Sequence, residues 1–297
     1  MNPQADPRME TTELIKKVRA IEIRTRGLSN KIFSGEYHSA FKGRGMAFSE
    51  NREYQHGDEI RTIDWNVTAR MGHPYVKVFE EERELTVIIL VDLSASANYG
   101  TRAQLKRQLI TEITAVLAFS AIQNNDKIGV LFFTDRIERF IPPKKGKSHI
   151  LQIIRELLEF KPQGNKTNIK GALEYLNTAI KKKAICFVLS DFMDSGFERT
   201  LRMTNRKHDV VAIRTVDQGE QELPNVGWLL VKDSETNDIL RINTSSAKTK
   251  KALRDEANLR NITLRETFTK AGVDAITLHT DKPYVQPLMN LFKQRGS

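Results

Sequence analysis

Three oxygen-bearing side chains stand two residues apart in this chain, at Asp92, Ser94 and Ser96. In extended or gently turning backbone this spacing points all three the same way. One carboxylate and two hydroxyls suit a hard divalent cation such as Mg²⁺, which takes oxygen ligands and keeps some of its water. A strand-to-helix loop with an N-capping serine produces the same pattern without a metal. Both interpretations stay open from these residues alone.

A buried strand positions this group. Residues 87–91 are five consecutive apolar residues, several of them β-branched. Such a run is too short for an independent helix and is typical of a strand covered on both faces. Further strands are predicted at 127–133, 184–189, 210–213 and 275–278. Because these strands alternate with helical patterns, we expect a parallel sheet with helices on both faces, and ligands at the carboxyl ends of its strands.

Periodicity and turn signals predict the other elements. A helix over 102–123 has its buried side marked by Leu105, Leu109, Ile113, Val116, Leu117 and Phe119. Residues 137–141 are expected to return antiparallel at the sheet edge, where Pro142-Pro143 end the strand. An amphipathic helix with Leu14, Val18 and Ile21, a strand at 75–79, a β-hairpin at 228–231 and 239–242, and helices at 150–160, 246–271 and 285–292 complete the prediction.

Composition narrows the function classes. The 297 residues are 39% hydrophobic and 28% charged, with a net charge of +10. The sequence has no apolar run long enough to span a bilayer, and it has no signal-peptide core. A cytoplasmic protein is therefore expected. The single cysteine, Cys186, lies in an apolar run and cannot form an internal disulfide. The basic residues are scattered, so nucleic acid is not the expected partner.

A segment before the first core strand mixes acids, arginines and aromatics densely. Its candidate residues are Arg52, Tyr54, Asp58, Arg61, Asp64, Trp65 and Arg70. Carboxylates among arginines act in catalysis in some proteins, but more often they form an ion-pair network that fixes a loop. The sequence therefore leaves open whether this segment is a partner surface or a structural network.

The oxygen-bearing residues resemble a known site when they are taken in chain order. Asp92-x-Ser94-x-Ser96 is followed by Thr167 in Lys-Thr-Asn-Ile-Lys-Gly-Ala-Leu and by Asp191 in Val-Leu-Ser-Asp. This order resembles the von Willebrand factor A fold and its metal-ion-dependent adhesion site, with all five positions filled. The resemblance covers 85–214 and returns in the last strand and helix. It implies a Rossmann-like, doubly wound, mostly parallel α/β sheet with an antiparallel edge strand, and Mg²⁺ or Mn²⁺ held by these five residues.

A second resemblance covers nearly the whole chain. Residues 45–65, with Arg-x-Tyr, Gly-Asp and Ile-Asp-Trp, are similar to the bacterial family named domain of unknown function fifty-eight. Ala69-Arg70, Val76-Lys77, Glu82-Arg83, Pro142-Pro143, Leu223-Pro224, Asp233 in Asp-x-Glu-Thr and Tyr284-Val285 fit it too. The resemblance implies an N-terminal family-specific segment, 1–84, before a von Willebrand A-like domain, 85–297, with a β-hairpin insertion at about 216–272. It also implies pairing with a MoxR-type AAA+ ATPase, as an adaptor or chaperone-like partner.

These observations favour a non-enzymatic, metal-dependent interaction module. Two carboxylates among hydroxyl and water ligands leave a divalent cation under-neutralised, so an Asp or Glu of a partner can complete its coordination. The net positive charge of the chain would attract such an acidic partner toward the site by electrostatic steering.

Two other classes remain open. An aspartate after a buried strand, with Mg²⁺, is also the arrangement of haloacid-dehalogenase-type phosphoryl-transfer hydrolases, although Ser94 stands where that chemistry normally has an acid. The net charge alone would support binding to nucleic acid or a membrane surface. Such binding would weaken steeply with salt and would not depend on Asp92.

Overall fold

A computed structural model describes residues 16, 18–25, 37, 40–41, 46–81, 84–98, 105–221, 225–232 and 239–296. The main sheet begins only after a small N-terminal unit. That unit has an antiparallel strand pair, β1 (Met46–Glu53) and β2 (Tyr75–Glu81), with helix α1 (Trp65–Met71) between them in the chain. The described residues of the predicted N-terminal helix, 18–25, are helical, and Leu14 lies outside the described part.

The main sheet has six strands, and a separate hairpin lies in the insertion. In chain order the strands are β3 (Thr86–Asp92), β4 (Lys127–Phe133), β5 (Ile137–Lys144), β6 (Ile185–Ser190), β7 (Asp209–Val216), the hairpin strands β8 (Trp228–Lys232) and β9 (Ile239–Asn243), and β10 (Asp274–His279). The order across the main sheet is β10-β7-β6-β3-β4-β5. Only β5 in this sheet pairs antiparallel with its neighbour. The predicted α/β class, a mostly parallel sheet with an antiparallel edge strand, is confirmed.

Helices cover both faces of this sheet. They are α2 (Lys106–Gln123), α3 (Lys147–Glu159), α4 (Ile169–Ala179), α5 (Glu198–Lys207), the single turn α6 (Gln218–Gln221), α7 (Ala247–Ala271) and α8 (Val285–Gly296). Along β3, Val87, Ile89 and Val91 face the core that includes α2, α3 and α8, whereas Ile88 and Leu90 face the core that includes α4, α5 and α7. Burying each of these side chains contributes roughly 1.5–3 kcal/mol to the free energy of folding. The doubly wound layering, with helices on both faces of the sheet, follows from this alternation.

The strand order reverses between β3 and β6. The chain leaves β3 toward β4 and β5 on one side, then crosses to β6 and continues outward through β7 and β10. Open α/β sheets bind ligands outside the carboxyl ends of their strands at such a reversal. Asp92 ends β3, and Asp191 directly follows β6. The topology therefore places both predicted carboxylates at the crevice of the sheet.

One strand prediction is wrong at the sheet edge. Pro142 and Pro143 do not end β5, which continues to Lys144. An edge strand tolerates prolines because the missing N–H groups can face away from its neighbour. The strand also approaches β4 closely: a Cβ added at Gly129 would lie 2.9 Å from the Ile141 carbonyl oxygen and 2.9 Å from the Pro143 nitrogen.

The structure also differs from the prediction in where one helix begins and in several short elements. Helix α2 begins at Lys106, and 101–104 lie outside the described residues. Leu105, predicted to be buried, is 41% exposed, and its neighbour Lys106 is buried instead. Strand β1 and helices α1 and α5 were not predicted. No described helix is long and apolar enough to cross a membrane.

Candidate metal centre

Asp92 lies almost completely buried at the end of β3 and is held by neutral donors. The Ser94 N–H donates to its Oδ1 at 2.9 Å, and the Ser190 hydroxyl, from the last residue of β6, donates to its Oδ2 at 2.6 Å. The neighbouring strand therefore fixes the carboxylate directly. Ser190 was not predicted as part of the site, although it stands next to Asp191 in the sequence.

The two predicted serine hydroxyls meet beside Asp92. A 3₁₀ turn, Ala95–Asn98, follows β3, and it brings the Ser94 and Ser96 Oγ atoms to 3.0 Å from each other. Ser94 is buried and Ser96 is half-buried. The hydroxyls of Ser94 and Ser96 therefore lie together in the structure, and Ser96 lies nearer to solvent.

Thr167 lies in the loop that precedes α4. This loop contacts the turn after β3, because the Ala95 N–H donates to the Asn165 carbonyl at 2.9 Å. On the other side, the Asn168 N–H donates to the Thr134 carbonyl at 3.0 Å, at the end of β4. The Asn168 side chain caps α4 by accepting from the Gly171 N–H. Asn168 is therefore the capping residue of α4, and half-buried Thr167 lies in the loop whose Asn165 contacts the turn after β3.

Asp191 is fixed by an unusual backbone turn after β6. The next residue, Phe192, has a φ of 58°, a left-handed conformation that is rare for a bulky side chain. The Phe192 ring is buried and packs edge-to-face on Phe268 at 5.0 Å, which offsets the cost of that conformation. The turn lets the Met193 N–H donate to Asp191 Oδ1 at 3.1 Å. Asp191 is thereby aimed at the crevice rather than along the chain.

A buried lysine contacts this carboxylate, and sequence reasoning missed it. Lys106, in the first turn of α2, is 1% exposed, and its Nζ lies 2.9 Å from Asp191 Oδ2. The same ammonium also pairs with Glu220 on α6. Burial acts to lower the pKa of Lys106, but the two carboxylates outweigh it, and the pKa lies above its ordinary value. The ammonium is therefore charged at neutral pH.

The two predicted carboxylates differ in their electrostatic surroundings. Burial acts to raise the pKa of Asp191, but Lys106 and then the Ser96 hydroxyl outweigh it, and the pKa lies below its ordinary value. Burial, followed by the charge of Asp191, raises the pKa of Asp92 to about 7. Asp92 and Asp191 thus repel each other in a dry environment.

The donor set fits a hard divalent cation. Asp92 and Asp191 provide mutually repelling carboxylates, and Ser94 and Ser96 provide hydroxyls, which are oxygen ligands that Mg²⁺ and Mn²⁺ accept. Within the ranges that the structure describes, no cluster of three or more His, Cys, Asp or Glu side chains could hold a metal. A cation at this rim would therefore rely on hydroxyls and water beside its two carboxylates.

The N-terminal candidate residues lie in the β1–β2 unit. Arg52 donates two hydrogen bonds to Asp58, of 2.8 and 2.7 Å. This pairing is the main reason that the pKa of Asp58 lies below its usual range. Asp64 caps α1 by accepting from the Asn66 and Val67 N–H groups. Trp65 is 66% exposed; Arg61 and Arg70 are also exposed, and Tyr54 is half-buried. Structural contacts and an exposed surface thus coexist in this segment.

The chain also matches a family model. The family described as "Protein of unknown function DUF58" matches residues 50–262. The chain belongs to the DUF58 family. This DUF58 protein is 26% identical over 294 residues to uncharacterized protein Rv1480 of Mycobacterium tuberculosis, across 97% of this chain and 91% of that one.

Solved structures similar to this DUF58 protein include a conserved hypothetical protein, BatB of Bacteroides thetaiotaomicron. It has a TM-score of 0.47 and 12% identity, across 71% of this chain and 98% of that one. The SpRpn10 VWA domain has a TM-score of 0.40 and 10% identity, across 71% of this chain and 95% of that one.

Proposed function

We propose that this protein is a non-enzymatic interaction module that docks an acidic side chain of a protein partner through a divalent cation. The observation that supports this most directly is the meeting of Asp92 and Asp191 at the strand reversal, beside the hydroxyls of Ser94 and Ser96. The residues come from distant parts of the chain, and each is oriented by its own hydrogen bonds.

Each residue has a distinct role in this proposal. Asp92 and Asp191 supply the negative charge, while Ser94, Ser96 and Thr167 supply neutral oxygens. Ser190 orients Asp92 from the neighbouring strand. The bound metal, Mg²⁺ or Mn²⁺, would supply positive charge and a coordination position for an Asp or Glu of the partner. The serines stay neutral hydroxyls in this proposal: Ser94 donates to Asp92 and Ser96 donates to Asp191, and both act as metal ligands rather than nucleophiles.

The partner in this proposal is a MoxR-type AAA+ ATPase or its client, and the protein acts in the cytoplasm as an adaptor or chaperone-like partner. Membership in the DUF58 family and the resemblance on which that partnership was predicted support this choice. Nucleic acid is not part of the proposal, and the scattered distribution of basic residues supports its omission.

Calorimetric titration with Mg²⁺ and Mn²⁺ tests the metal site. We expect binding heat from the wild-type protein, a large loss of affinity in Asp92→Ala, and a smaller loss in Thr167→Ala. Thr178→Ala is a matched control, because Thr178 is an exposed residue of α4 whose hydroxyl bonds to its own helix. Absence of heat from the wild type, or equal affinities for Asp92→Ala and wild type, would contradict the metal site.

A pull-down with the ATPase tests the docking step. Capture should disappear with EDTA and return with excess Mg²⁺, and Asp92→Ala should not capture. The phosphoryl-transfer alternative predicts turnover of generic phosphatase substrates with Mg²⁺ or Mn²⁺ that is lost in Asp92→Ala. The hydroxyl of Ser94, two residues after Asp92, does not favour that alternative.

A further inference from the structure

A polar cleft opens at the same edge of the sheet, beyond the candidate metal centre. It has a volume of about 350 Å³. Its lining residues come from α6, from α7 and from the end of β10: Gln218, Arg254, Ala257, Asn258, Asn261, His279, Asp281 and Lys282. The cleft therefore lies outside the carboxyl ends of β7 and β10, which are adjacent parallel strands.

The cleft has the chemistry of an anion site. Arg254, Asn258 and Asn261 stand at helical spacing that places them on one face of α7, and Lys282 faces them from the chain after β10. Guanidinium, ammonium and amide groups all donate hydrogen bonds to a carboxylate. Burial lowers the pKa of His279, and Lys282 lowers it further, which indicates positive potential at this wall. Asp281 offsets part of that charge.

Two connections join the cleft to the candidate metal centre. The Arg214 side chain donates to the Asp191 carbonyl at 3.3 Å and also to the Asn261 side chain in the cleft wall. The single turn α6 contributes Gln218 to the cleft, while its Glu220 pairs with the buried Lys106. One arginine and one helical turn therefore form a shared wall between the two sites.

The spacing of the two sites suits one extended peptide. Neighbouring strands lie roughly 4.8 Å apart, so the cleft between the ends of β7 and β10 lies roughly 10 Å across the sheet from the point between β3 and β6 where Asp92 and Asp191 meet. Side chains two and four positions apart in an extended strand are separated by roughly 7 and 13 Å, which brackets this distance. Acidic residues two to four positions apart in such a peptide would reach both sites.

We infer that this cleft binds a second acidic side chain of the segment whose first acid docks at the metal centre. The inference rests on the proposed function, and it specifies the partner as an extended segment with at least two closely spaced acids. Arg254 and Lys282 are the residues that carry the charge recognition.

The test uses fluorescein-labelled hexaglutamate as the probe, with Mg²⁺ present, and measures its affinity by fluorescence anisotropy on the full chain. The variant is Arg254→Gln with Lys282→Gln. The charge-matched control is Lys248→Gln with Lys270→Gln, since both lysines are exposed on the same helix but do not line the cleft. All four positions are exposed, and circular dichroism and thermal unfolding of each variant confirm that it is folded.

We expect the cleft variant to bind about 10-fold or more weakly than wild type, and the control to change by about 2-fold or less. EDTA should weaken the wild type and the cleft variant by similar factors. Equal effects of cleft variant and control would show general charge attraction and would overturn the inference. An EDTA effect without a cleft effect would also overturn it, leaving metal docking intact. A cleft effect without an EDTA effect would support the acidic-peptide cleft and overturn the metal docking alone.

Discussion

Replacing Lys106 by methionine removes the cation that the chain itself provides at the candidate metal centre. Methionine keeps the length of the buried stem and eliminates the ammonium. Lys106 is 1% exposed and pairs with Asp191, which is 4% exposed. Without the ammonium, Asp191 and Glu220 lose their shared partner, and the charges of Asp92 and Glu220 both act on Asp191 without compensation.

In the absence of metal, Lys106→Met should lower the free energy of unfolding by a large amount. Removing one partner of a buried ion pair destabilises a protein by about 3–5 kcal/mol, because the remaining charge is buried without compensation. For a chain of this size each kcal/mol corresponds to about 2–4 °C in the midpoint of thermal unfolding. A divalent cation would return positive charge next to Asp191. We therefore expect Mg²⁺ or Mn²⁺ to raise the midpoint more in Lys106→Met than in the wild type.

The assay is thermal unfolding by circular dichroism, with EDTA and then with a series of Mg²⁺ and Mn²⁺ concentrations. Stabilisation by a ligand grows with its concentration relative to its dissociation constant, and reaches about 2.7 kcal/mol at 100 times that constant. Lys127→Met is the control, because Lys127 forms an exposed pair with Glu84 and its loss should cost little and not respond to metal. A metal-induced gain in Lys106→Met that is no larger than in the wild type would refute the argument.

Three further changes test other parts of the structure. Gly129→Ala should lower the free energy of unfolding by about 1–3 kcal/mol in urea titrations, because its Cβ would overlap β5; an unchanged value would contradict the close packing of the two strands. Trp65→Ala should leave the thermal midpoint nearly unchanged because the side chain is largely exposed, and reduced capture of the ATPase by this variant would identify the N-terminal segment as a partner surface. Burial raises the pKa of Asp126 to about 6, so the folded state binds its proton more tightly than the unfolded state, and wild-type stability falls as the pH rises through that value. Asp126→Asn should therefore add about 1–3 kcal/mol at pH 8 and little at pH 4, and a gain that is independent of pH would exclude this cause.

The parts of the fold that were predictable are those that local pattern determines. The apolar run of β3 identified a strand buried on both faces because its side chains alternate between two cores, so every position is apolar. The carboxyl ends of β3 and β6 then brought Asp92 and Asp191 to one edge without further information. Strand β1 was not predicted, because its sequence is polar and its pairing depends on β2, more than twenty residues later.

Lys106 was not predictable for a different reason. The helical pattern of α2 marked Leu105 as buried, and a lysine next to it would normally point to solvent. The lysine is buried because Asp191 and Glu220, both far later in the chain, provide compensating charge. Local periodicity contains no information about such a pair. The same holds for the Asp191 orientation, which depends on a left-handed Phe192 packed against Phe268.

The charges at the edge of the sheet explain why docking should depend on the metal and not on the net charge of the chain. Asp92, Asp191 and Glu220 provide three carboxylates, whereas Lys106 and Arg214 provide two cations that contact this group. With every group ionised, which for Asp92 requires a pH above its pKa of about 7, the formal charge is negative, and an acidic side chain is repelled from this point even though the whole chain carries +10. A divalent cation reverses the sign. The basic surface can bring an acidic partner close, but the carboxylates at the centre admit its acidic side chain only when the cation is present. We therefore expect the salt concentration to change mainly the rate of association, and chelation of the metal to change mainly the rate of dissociation.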